Sequence, residues 1–116
     1  MTESGHILRV AVTSAGDTTV ARFHGEVDVA TAEQLTDTIR ETQGPIVFEL
    51  SDVSFMDSSG IRALVEAQGL ANGDGRHFAI CCPSPAVARV LELINLRGRI
   101  PEVASADGAG RSNSGD

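Results

Sequence analysis

A chain of 116 residues with 41% hydrophobic and 22% charged side chains is in the size range of one globular domain, its core built from Val, Ile, Leu and Ala because Phe occurs four times and Trp and Tyr not at all. A formal charge of −7, with nine Lys and Arg scattered along the chain, excludes a nucleic-acid partner, which needs a concentrated basic face. No apolar run reaches the roughly 18 residues that span a bilayer, and MTESGHILRV lacks a basic stretch followed by an apolar one, so no membrane is implied and the cytoplasm is the expected compartment.

HILRVAVTSAGDTTVARFHG alternates, with Ile7, Arg9 and Ala11 on one side and Leu8, Val10 and Val12 on the other, and the pattern restarts at Val20. This predicts a β-hairpin turning over Ala15 to Asp17. The period changes in GEVDVATAEQLTDTIRETQG: Thr31 can cap a helix with Gln34 three residues on, Leu35 and Ile39 share a face, and Gly44-Pro45 stops it. PIVFELSDVSF carries a continuous apolar run, Ile46 to Phe48, with Leu50 beyond, as expected of a central strand buried on both faces.

After MDSSG, Ile61, Leu64 and Val65 recur at helical spacing until NGDG, Asn72 to Gly75, ends the helix. RHFAICC is the next strand. Ser84 and Pro85 pair a cap with a first-turn proline, and Val87, Val90, Leu91 and Ile94 form a helical stripe. NLRGRIP gives a turn and at most a short edge strand, since Pro101 fits only an edge or an end. From Ser105, SADGAGRSNSGD has no apolar period and is expected to be disordered.

The order β-β-α-β-α-β-α-(β) predicts an α/β fold: a mixed sheet of four to five strands that begins with a hairpin and continues parallel, with three helices packed on it through right-handed crossovers. One domain over residues 1–103 and a disordered tail over 104–116 follow.

Two features carry chemistry. Cys81 and Cys82 are adjacent, which suits neither a structural disulfide nor a zinc or CxxC spacing, so they read as reduced residues at a strand end and imply no metal or cofactor. The other is VSFMDSSGIRALVEA, where an acid, two serines and a glycine open a helix. As a cap, one of these side chains satisfies free first-turn N–H groups, which accounts for one hydroxyl but not two. As a nucleophile, a serine needs a base and an orienting group. MDSSGI is not a G-x-S-x-G elbow, and His6, His24 and His77 fall in or beside strands, so no enzyme is expected.

As a switch, a helix amino terminus carries roughly half a positive charge and free N–H donors, so it tolerates a phosphate that adds about −1.5 to −2 charges to the surface. The fold would survive that charge. A docked partner need not, because a dianion inside an interface must be desolvated or paired.

GEVDVATAEQL, LSDVSFMDSSGIRALVEA and SPAVARVLELINLRGRIP together resemble the stand-alone STAS domains, named for sulphate transporters and anti-sigma factor antagonists, over about Val10 to Pro101. They look most like the bacterial anti-sigma factor antagonists. FMDSSG after a buried strand is the most specific part, and the loop Gly25 to Asp28 the second. The resemblance implies that Ser58 is the phosphorylation site, that Ser59 is the neighbouring hydroxyl and not the usual acceptor, and that Asp57 is the motif's acid. Gly60 would let a partner approach the helix end, and Asp28 would lie beside the phosphoserine. These five residues form the expected partner-binding set.

The implied mechanism is partner switching. The unphosphorylated chain binds an anti-sigma factor that is also an ATP-dependent serine kinase, releasing a sigma factor; phosphorylation at Ser58 ends the binding, and a PP2C-type phosphatase restores it. The chain is then a substrate. The alternative is a STAS interaction module for another partner: a stressosome-like assembly, a transporter complex or a small molecule. Many family members close with an amphipathic helix that residues 105–116 cannot supply, which would leave part of the sheet or third helix exposed, or covered in a homodimer.

Overall fold

The computed structural model describes residues 7–106. Five strands, β1 (Leu8–Ala15), β2 (Thr18–Val27), β3 (Ile46–Met56), β4 (Phe78–Cys81) and β5 (Glu102–Val103), alternate after the hairpin with α1 (Glu33–Arg40), α2 (Ser58–Gly73) and α3 (Pro85–Leu93). They form one sheet in the order β1-β2-β3-β4-β5, antiparallel between β1 and β2 and parallel elsewhere. Because every parallel crossover steps the same way along the sheet, one handedness of crossover puts all three helices on one face. The expected mixed sheet with three helices is what forms.

The main core lies between that face and the helices, joining Phe23, Phe48 and Ile80 of the strands to Leu35, Leu64 and Leu91 of the helices. Phe48 sits at its centre, edge-on to Phe23 and Phe78 with ring centroids 4.8 and 5.0 Å away, a favoured aromatic geometry. The opposite face carries a smaller buried cluster, Val20, Val47, Cys81 and Ala106.

The hairpin closes through Gly16-Asp17, with Gly16 at φ +64, a value its missing side chain permits. β3 is central, as its apolar run predicts, and extends to Met56 through sequence that does not alternate. Register against β2 shifts twice, between Arg22 and His24 and between Gly25 and Glu26. Each shift adds a residue on β3, so its buried positions become Leu50, Val53 and Met56.

One local expectation is corrected. Thr31 and Gln34 form no capping box: Ala32 occupies the cap of α1 without a side-chain bond. The Asp28 carbonyl already accepts from Thr31 N and Ala32 N, so the chain is turning before the helix begins and Thr31 lies inside that turn. Its hydroxyl donates to Glu26 O at 2.7 Å and accepts from Asp28 N at 3.0 Å, while Gln34 Nε2 donates to Leu8 O at 2.8 Å. Both side chains hold the loop and β1 in place.

α1 ends at Arg40, several residues before the expected stop at Gly44-Pro45, whereas the end of α2 and the start of α3 follow the sequence. Asp74 ends α2 with Gly75 behind it at φ +73. Ser84 Oγ accepts from Val87 N at 3.2 Å and donates to Val53 O, clamping the start of α3 onto β3. Leu93 and Ile94 at the end of α3 are exposed. β5 pairs with β4 through Glu102 and Val103. Ala106, within the stretch expected to be a tail, is buried in the rear cluster; residues 107–116 lie outside the described residues. Among the described residues no helix is long and apolar enough to cross a membrane.

Candidate phosphorylation and docking site

Parallel neighbours β2 and β3 end together, with Val27 opposite Met56 and Asp57 N donating to Val27 O at 3.2 Å. The loops that leave them therefore start side by side at the carboxyl edge of the sheet. One carries Asp28, and the other carries Asp57, Ser58, Ser59 and Gly60 into α2. The register thus brings the two separate sequence motifs to one edge.

Asp57 is the cap. Its backbone is extended, and its carboxylate accepts from Ser59 N at 2.9 Å and Gly60 N at 3.4 Å, the bonding an N-cap acid makes with first-turn donors. Neither serine hydroxyl is needed for that task. Ser58 is exposed at the first position of the helix and Ser59 is half-buried behind it. The two hydroxyls are consequently unequal in access.

Gly60 is buried, and a Cβ built on it would lie 2.6 Å from Met56 Cγ and 2.8 Å from Val27 Cγ1. Its missing side chain lets α2 sit tightly on the ends of β2 and β3. The space left by its missing side chain faces inward, toward β2 and β3.

Asp28 is only 6% exposed. Its Oδ1 accepts from Ala30 N at 2.9 Å and from the Thr31 hydroxyl at 3.4 Å, so it shapes the loop between β2 and α1. That loop presents Val29, 83% exposed, and the end of β3 presents Phe55, 43% exposed. Sequence reasoning assigned neither to the site. An apolar residue between an aspartate and a helix start is the available signal for Val29; the exposure of Phe55 follows from the second register shift and has no local signal.

A groove of about 350 Å³ opens between α1 and α2 beside the loop, lined by Val29, Thr36 and Arg40 on one side and Ser59, Arg62 and Glu66 on the other. Arg62 follows Ser58 by one helical turn. This edge offers exposed apolar groups, one open hydroxyl and charges of both signs. His24 of β2 lies 3.7 Å from Asp52 of β3, and His77 is exposed before β4; among the described residues neither forms a hydrogen bond with a serine, and His6 lies outside them. The group with metal-ligand chemistry, Glu49 with Cys81 and Cys82, lies elsewhere.

The family model of the STAS domain matches residues 9–107. An anti-sigma F factor antagonist from Paenibacillus polymyxa is 33% identical over 82 residues, covering 66% of this chain and 70% of that protein. The crystal structure of an anti-sigma factor antagonist from Mycobacterium paratuberculosis superposes with a TM-score of 0.78 at 23% identity, covering 96% of this chain and 97% of the other. The anti-sigma factor antagonist SpoIIAA in its unphosphorylated form gives 0.70 at 21% identity, with 95% and 99% covered.

Proposed function

This chain belongs to the STAS domain family, and from that premise we propose that it is an anti-sigma factor antagonist switched by phosphorylation of Ser58. The observation that carries the reading is the division of labour at the start of α2: Asp57 caps the helix, leaving the Ser58 hydroxyl exposed and free of structural duty. The partner is an anti-sigma factor with serine kinase activity, working in the cytoplasm where ATP is supplied. The name of the Paenibacillus polymyxa relative supports the role, and the description of one solved neighbour as unphosphorylated supports the switch.

In the unmodified state the partner docks over the carboxyl edge of the sheet, covering Val29 and Phe55 and reaching Ser58. The kinase transfers the γ-phosphoryl group of ATP: a bond forms from Ser58 Oγ to phosphorus, the bond to the ADP oxygen breaks, and the hydroxyl proton passes to a base on the kinase. The present chain supplies the acceptor and its position. Once formed, the phosphoserine adds about −1.5 to −2 charges to a chain already at −7. The positive end of the α2 dipole and Arg62, four residues on, favour that charge in the free protein. Inside the interface it must be stripped of water, which drives the partner off. A PP2C-type phosphatase returns the serine.

The test is to incubate the protein with its cognate kinase and Mg-ATP and map the label. One phosphate on Ser58 is expected, with loss of the complex; label confined to Ser59, or a complex of undiminished affinity after stoichiometric phosphorylation, refutes the mechanism.

A further inference from the structure

On the sheet face away from the helices lies a second group of reactive side chains, independent of the serine site. Cys81 ends β4 and is the ladder partner of Glu49 on β3, so the thiol and the carboxylate leave the same face side by side. Cys82 would ordinarily point to the opposite face, because successive strand side chains alternate. Its backbone instead adopts φ +56, uncommon for a residue with a Cβ, and its Sγ is 3.0 Å from that of Cys81. Both sulfurs and a Glu49 oxygen lie within 4.8 Å of one another.

We propose that Glu49, Cys81 and Cys82 form a binding site for a thiophilic divalent cation of the zinc class, with two sulfurs and one carboxylate oxygen as protein ligands and a fourth position open to water. The spacing of the cysteines hides this site, since the third ligand comes from a neighbouring strand. Tetrahedral zinc, with bonds of about 2.3 Å to sulfur, sets two sulfurs roughly 3.8 Å apart, so the pair must open by roughly 0.8 Å. Rotation of the half-buried Cys82 side chain supplies that movement, while Cys81 is fully buried.

Charge and support fit the same cation. Two thiolates and a carboxylate carry three negative charges, Arg22 Nε lies 3.7 Å from the Glu49 carboxylate, and a divalent ion brings the sum to zero. Ser51 Oγ donates to Glu49 at 2.9 Å, fixing the carboxylate as outer partners of metal ligands do. Binding breaks two S–H bonds, forms two sulfur–metal bonds and releases two protons to solvent, with no change of oxidation state.

The experiment titrates the full-length protein, reduced and then freed of reductant, with Co(II) and afterwards with Zn(II). One equivalent of cobalt should give the charge-transfer absorption of thiolate coordination, one equivalent of zinc should bleach it, and about two protons should be released per zinc. Cys82→Ser should abolish the absorption, and Glu49→Gln should weaken zinc binding by about tenfold or more. Because replacement of the fully buried Cys81 can disturb the core, the test rests on these two positions, with circular dichroism verifying that both variants fold. Absence of the absorption at saturating cobalt, or unchanged zinc affinity in either variant, overturns the site.

Discussion

Replacing Gly60 with alanine separates two explanations of the glycine in the D-S-S-G turn. In a helix interior the change to alanine is favourable by roughly 0.5–1 kcal/mol, because glycine has more backbone freedom to lose. Against this, the added Cβ would sit 2.6 Å from Met56 Cγ and 2.8 Å from Val27 Cγ1. Met56 can swing aside, but Val27 is β-branched, sits in β2 and is fully buried, so α2 must lift or the strand end must shift. Forcing a methyl group into a packed site costs about 1–3 kcal/mol. The net expectation for Gly60→Ala is a loss of about 1–2 kcal/mol, equivalent to about 4–16 °C in Tm for a domain of this size. Urea and thermal unfolding measure it, and adding Val27→Ala should recover part of the loss beyond additivity, since the clash partner that cannot swing aside is gone. A Gly60→Ala protein as stable as wild type that nonetheless fails to bind the anti-sigma factor would refute the packing argument and restore the glycine to the interface.

Removing the cap with Asp57→Ala should destabilise the protein by about 1 kcal/mol (range about 0.5–2) by denaturant unfolding, since two first-turn N–H groups lose their acceptor. Ser58→Asp should leave stability unchanged or raise it by about 0.3–1 kcal/mol, as an acid at a helix start does, while weakening anti-sigma factor binding at least about tenfold in a calorimetric titration; Ser58→Ala should bind and resist inactivation by the kinase. Arg76→Ala should cost about 2–3 kcal/mol in unfolding experiments, because its guanidinium donates to Gly44 O, Ile39 O and Thr42 Oγ1 at 2.7, 2.7 and 2.9 Å and ties the end of α1 to the loop before β4. In native protein a thiol reagent should modify Cys82 well before Cys81, because Cys81 is fully buried and its thiol is held far above the ordinary range by that burial and by the neighbouring Cys82.

Features encoded by neighbours in sequence were readable before any fold was known. Gly16-Asp17, Ser84-Pro85 and Asn72 to Gly75 act within a few residues of themselves, so their chemistry states their place. The apolar run at Ile46 to Phe48 marked the central strand. What stayed hidden depends on which strands become neighbours. Gln34 completes a local capping pattern, yet its amide bonds to Leu8, 26 residues away, because a turn from Asp28 makes that cap unnecessary. PIVFELSDVSF was read as a strand, but which of its later residues face inward was concealed by two register shifts that replace alternation with a three-residue spacing. At the site, adjacent hydroxyls could not be ranked by spacing, and Ser58 was chosen by family resemblance; in the structure the two differ in access, Ser58 exposed and Ser59 half-buried.

Under the proposed switch, the placement of Ser58 would let one charge act on the partner without acting on the fold. A hundredfold change in affinity requires about 2.7 kcal/mol of difference between bound and free states. In the free protein the phosphate would stay in water at the positive end of the α2 dipole, an interaction worth about 0.3–1 kcal/mol, while Asp57 keeps the Ser59 and Gly60 N–H groups. In the proposed complex the same dianion would lie between the carboxyl edge of the sheet and the partner's surface, where desolvation of an unpaired charge amounts to several kcal/mol. The difference exceeds what the switch requires, so no rearrangement of strands or helices is needed. Asp57 makes this division workable: by holding the helix start itself, it keeps the cap in place whether Ser58 carries a proton or a phosphate.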